Sequence, residues 1–172
     1  MTKTTLCEIK LGFNDGEPIT MRDKDLIEHI PLLTRAIASQ TADWKTEDVV
    51  VADTLRIPFA REAAEFLFRY VRQYPVPGEY PELAHYPDAA SKTAEELKEI
   101  IELANFLECL EFVEAIGFVI AQKLKDWDVT RIAQFMGLEC VAAEDGYEED
   151  NEWMHPPLAA LQGENNNYIR EM

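Results

Sequence analysis

The sequence predicts an α+β chain that is mostly helical, and three observations carry that prediction. Cys7, Ile9, Leu11 and Phe13 alternate with Glu8, Lys10 and Gly12, the two-residue period of a strand with one buried face. Val49-Val50-Val51 is a further short β-branched run, consistent with a third strand of a small sheet. Between 93 and 138 the apolar residues instead recur at helical spacing, in three consecutive segments that end at a glycine.

Each element follows from local chemistry. After the first strand, Asn14-Asp15-Gly16 is a turn signal, and Pro18-Ile19-Thr20-Met21 returns as an edge strand. Asp23 can cap a helical segment bearing Leu26, Ile27 and Ile30, and Pro31 ends one turn and starts the next. Leu33 and Ile37 extend the apolar face to about Ser39, ahead of a polar stretch at 40–48 that includes Trp44. Ile57-Pro58-Phe59 leads into a helix with Ala63, Phe66, Leu67, Tyr70 and Val71 on one face. Pro75, Pro77, Pro81 and Pro87 fall in 75–92, so neither helix nor strand is expected to persist there, although Tyr80, Leu83 and Tyr86 offer side chains for packing.

Thr93-Ala94-Glu95-Glu96 is a capping box, with a hydroxyl for the third backbone N–H and a Glu to reach back. Leu97, Ile100, Ile101, Ala104 and Leu107 follow on one face. After Glu108 the stripe restarts with Phe112, Val113, Ile116, Val119, Ile120 and Leu124. Asp128 opens a short third helix with Val129, Ile132, Ala133 and Met136, and Gly137 can supply a left-handed stop. Phe135 lies off that stripe, as a second, partner-facing side would require. The end of the chain, with Pro156-Pro157 and Asn165-Asn166-Asn167, is expected to form a mobile tail.

Composition narrows the function classes. A net charge of −17 repels phosphate backbones and argues against nucleic acid as a partner. No apolar run approaches the ~20 residues of a membrane helix, so no membrane association is expected. Cys7, Cys109 and Cys140 form no CxxC pair, and the first two read as small buried hydrophobes. His29, His85 and His155 have no ligand-type residue at helical spacing, so no metal site is expected. The run Glu144-Asp145-Gly146-Tyr147-Glu148-Glu149-Asp150 does not fit the spacing of a calcium loop. With no phosphate-binding glycine loop either, the expectation is a non-enzymatic protein without a cofactor.

One string is more specific. Ile101-Glu102-Leu103-Ala104-Asn105-Phe106-Leu107-Glu108-Cys109, followed by two further helices, resembles the adaptor family that includes elongin C and the Skp subunit of cullin-based ubiquitin ligases. Asn151-Glu152-Trp153 resembles the Asn-Gln-Trp near the Skp C-terminus. The resemblance implies a BTB/POZ-like domain over 1–109 with its Pro-rich loop at 75–92, a helical F-box-binding extension over 110–155, and a tail over 156–172. It implies an adaptor of SCF type, cytoplasmic and nuclear, bridging a cullin scaffold to F-box substrate receptors. Matching positions are Val129, Ile132, Phe135, Met136, Leu138 and Trp153 for F-box proteins, and Asn105 and Phe106 for the cullin. Two departures stand out: the third helix begins Asp128-Val129-Thr130-Arg131 where the family commonly has Thr-Pro-Glu-Glu, and the 139–150 stretch is shorter. The alternatives are an elongin-C-like adaptor, or a BTB-type structural or kinetochore assembly subunit without a ligase role; a weak homodimer is a further expectation for the chain.

Overall fold

In the computed structural model, which describes residues 5–138, β1 (Cys7–Gly12) is the central strand of a three-stranded sheet ordered β2-β1-β3. Its alternation does what the sequence predicts: Cys7, Ile9 and Leu11 are buried and Glu8, Lys10 and Gly12 are not. Gly16, at φ 71°, makes the turn to β2 (Ile19–Met21), which pairs antiparallel through Ile9↔Met21 and Leu11↔Ile19. α1 (Lys24–Glu28) and α2 (Pro31–Ala38) then form the crossover to β3 (Val49–Arg56), which lies parallel to β1. The Asp23 carboxylate accepts from the Leu26 N–H at 3.1 Å, and Pro31 occupies the first turn of α2, where its missing N–H costs nothing.

β3 is longer than the three-valine run predicts. Its register slips against β1 between Glu8 and Lys10, and most of its side chains are exposed or half-buried. Its extension rests on the ladder with β1, which periodicity within the segment does not report.

The segment 75–92 corrects the expectation that its prolines exclude regular structure. After α3 (Arg61–Tyr70) the chain forms a 3-10 turn at Leu83–His85 and then α4 (Pro87–Ser91). Pro87 sits at the start of the helix, the one helical position proline favours. Tyr86 is 1% exposed, and its hydroxyl donates to the Pro75 carbonyl at 2.9 Å. The Tyr74 hydroxyl accepts from the Ala89 N–H at 3.0 Å, and the Tyr86 ring meets Tyr74 edge-on and tilts against Phe118. Tyr80, by contrast, stays in solvent.

α5 (Ala94–Phe106) and α6 (Leu110–Leu124) pack on each other, and α5 on α3, within one apolar core that also holds the buried residues of the sheet. Phe112, Ala115, Ile116, Val119 and Ile120 of α6 belong to that core together with Ile9, Leu11 and Ile27. The packing therefore continues across residue 109. α7 (Val129–Met136) is the last described element. Trp153, Cys140, the acidic run at 144–150 and the 156–172 segment lie outside the described residues.

Candidate functional site

Two apolar surfaces emerge, on different elements. The first is α7. The Asp128 carboxylate accepts from the Arg131 N–H at 2.8 Å and starts the helix. Gly137, at φ 72°, ends it: its N–H bonds the Gln134 carbonyl at 3.0 Å, and the Leu138 N–H bonds Ala133 at 2.8 Å.

Between these caps the helix is turned in an unexpected way. Trp127, Arg131 and Phe135 recur every four residues and share one side. The Arg131 guanidinium lies 3.8 Å from the Trp127 ring centroid, and Trp127 meets Phe135 edge-on at 5.7 Å. Lys98 of α5 completes the row, its ammonium 5.4 Å from the Phe135 ring and 2.8 Å from the Phe135 carbonyl, to which it donates. Phe135, half-buried, thus packs against its own domain in the free chain. Ile132 and Ala133 are half-buried, while Val129 is 76%, Met136 59% and Leu138 64% exposed. Much of the helix's apolar stripe faces away from the core. Trp153, expected beside these residues, is outside the described part of the chain.

The second surface is the α5–α6 corner. The Thr93 hydroxyl accepts from the Glu96 N–H, and the Glu96 carboxylate accepts from the Thr93 N–H at 2.7 Å. That backbone bond, aided by Lys92 and the Thr93 hydroxyl, holds the Glu96 carboxyl down at about 2. At the far end, the Glu108 N–H bonds the Asn105 carbonyl at 3.0 Å and the Cys109 N–H bonds Ala104 at 2.9 Å, with Glu108 at φ 64°. A left-handed residue here is usually glycine. Glu108 is instead gripped by both ends of the Arg35 guanidinium, at 2.5 and 2.7 Å, which lowers its carboxyl and raises the guanidinium. The corner so fixed leaves Asn105 and Leu110 exposed and Phe106 38% exposed, with the Phe106 ring tilted on Phe59 at 5.6 Å.

Cys7 and Cys109 are buried as expected, and burial, with Glu108 nearby, pushes the Cys109 thiol up to about 12, the wrong direction for a nucleophile. Among the described residues no three His, Cys, Asp or Glu side chains converge as a metal site, and no helix is long and apolar enough to cross a membrane. An open cleft of about 320 Å³ between α3 and α4 holds Glu62, Glu65 and Asp88 beside Arg69 and Lys92. Lys92 is already engaged, at 3.1 Å from Glu96 and 3.8 Å from Glu62.

Lys98, Trp127, Arg131 and Leu110 escaped the sequence reading. The four-residue spacing of Trp127, Arg131 and Phe135 is the signal that could have found three members of the row; Lys98 carries none. No protein-family model matches this chain, and no curated protein matches it either.

Proposed function

We propose that this chain is a non-enzymatic adaptor of Skp type, with a BTB/POZ-like domain that meets a cullin scaffold and a C-terminal helical extension that captures F-box receptors. The observation that carries this reading is the outward apolar stripe of α7, Val129 and Met136 continued by Leu138. An amphipathic helix normally turns that side to its own core, and exposed apolar patches of this kind mark interaction sites. The element order supports the reading as well: two strands, a helical crossover, a third strand, then a run of helices that share one apolar core with the sheet. The exposed Asn105, Phe106 and Leu110 at the α5–α6 corner offer a second surface, with an aromatic anchor suited to a scaffold contact.

The test is direct. Purified protein is titrated with a cullin N-terminal domain and with an isolated F-box domain, and capture from lysate is analysed by mass spectrometry. Binding of both supports the adaptor. Cullin together with elongin-type receptors redirects it to the elongin-like alternative. Binding of neither, with self-association in sedimentation, favours an assembly subunit and ends the ligase reading.

A further inference from the structure

We propose that Lys98 is the positioning residue that decides which face of α7 is offered to a receptor, an inference that rests on the adaptor reading. α7 has eight residues, too few to hold a helix by itself in water. Its last carbonyls need partners. Gly137 and Leu138 satisfy Gln134 and Ala133, and the Phe135 carbonyl receives the Lys98 ammonium from α5, 37 residues earlier in the chain. A cation at this end also meets the negative pole of the helix dipole.

The same ammonium lies 5.4 Å from the Phe135 ring, so one side chain holds both the backbone and the side chain of a single residue. That double hold fixes rotation. Each residue advances a helix by about 100°, so seating Gln134 or Met136 where Phe135 sits would swing Val129 and Met136 out of their present direction. Trp127 and Arg131 alone do not prevent this, because both belong to α7 or the turn that leads into it and move with the helix. Phe135 also packs against the core, an apolar contact that tolerates rotation, whereas Lys98, on α5 with Leu97 and Ile100 in the core, supplies the directional reference. Its half-buried stem leaves the ammonium little choice of partner.

The variants Lys98→Met, which keeps the stem and removes the donor and charge, and Lys98→Arg, which keeps both, separate positioning from packing. Hydrogen exchange on the free chain should show faster amides in Lys98→Met confined to about 129–138, with the α5 and α6 amides unchanged. Affinity for an F-box domain should fall about tenfold, as loss of a charge-assisted hydrogen bond to the binding helix would give, and Lys98→Arg should restore most of it. Cullin-domain affinity should not move. Unchanged exchange in 129–138, or unchanged F-box affinity against a binding wild type, overturns the proposal while leaving the adaptor reading standing. A wild type that binds no F-box domain overturns the adaptor reading, and with it the receptor half of this proposal. The exchange result then decides the tether by itself.

Discussion

Replacing Val129 and Met136 together by Asp tests the outward stripe on both sides of the question, the free chain and the complex. Fully burying a Val, Leu or Met side chain is worth ~1.5–3 kcal/mol. With 76%, 59% and 64% of Val129, Met136 and Leu138 still in water, a receptor covering all three would gain about 3–6 kcal/mol before the costs of association. The double variant removes roughly two-thirds of that gain and asks the interface to bury two carboxylates, so F-box affinity should fall at least about a hundredfold. The free chain, by contrast, should hardly notice. Both side chains are mostly in water, so the free chain should lose no more than about 1 kcal/mol, chiefly from an Asp placed at 136 against the negative end of the helix. Urea unfolding of the free protein and calorimetric titration with an F-box domain read the two quantities separately. A loss above about 2 kcal/mol in the free chain would mean that the stripe is covered within the molecule, and the reasoning from exposure would be refuted. Full receptor affinity in the variant, against a wild type that binds, would refute the placement of the receptor on this face.

Asn105→Lys with Phe106→Lys should weaken cullin-domain binding by about tenfold or more, since an ammonium buried without a counter-charge is costly, and should leave F-box binding intact; two titrations on one preparation check this. Tyr86→Ala should cost about 3–5 kcal/mol in urea unfolding and Tyr86→Phe only about 1, because the ring fills the core and the hydroxyl adds a single bond to Pro75. A negligible loss in Tyr86→Ala would mean the 75–92 segment is loosely attached. The capping box predicts an acid limb: the Glu96 carboxyl lies at about 2 against an ordinary 4.5, so its contribution is complete above 4.5 and lost as pH falls toward 2. Half-exposure screens that contribution. Thr93→Ala should cost about 1 kcal/mol at neutral pH, and Glu96→Gln, which removes the titrating carboxyl while the Thr93 backbone N–H stays, should flatten this limb in pH-resolved thermal melts.

What could be read from the sequence is what local chemistry decides. The turn at Gly16 and the caps at Asp23, Thr93, Asp128 and Gly137 stand where spacing placed them because each is closed within a few residues, and β1 is legible because its own alternation marks the buried face. Two features resisted. β3 runs eight residues because β1 lies beside it, a partner forty positions away in the chain. The segment at 83–91 is ordered because Tyr86 reaches Pro75 and Tyr74 reaches Ala89, whereas proline count alone suggests an open loop.

The candidate site divides in the same way. Helical spacing separates Phe135 from the stripe of Val129, Ile132, Ala133 and Met136, and that relative angle is preserved. Spacing does not say which side meets the rest of the molecule. An apolar stripe wider than the available core must leave part of itself outside, and for α7 the choice falls to groups beyond the helix. Trp127 and Lys98 together take one aromatic ring and one carbonyl, and this seats the Phe135 side inward. The apolar stripe is thereby displaced outward by polar and aromatic contacts. At the other surface Glu108 takes a backbone conformation that glycine would hold with less strain, and in exchange its carboxylate ties α2 to the corner that presents Phe106 and Leu110. In both places a charged side chain from a neighbouring helix, Lys98 or Arg35, fixes the orientation of apolar groups that burial alone would have turned elsewhere or left loose.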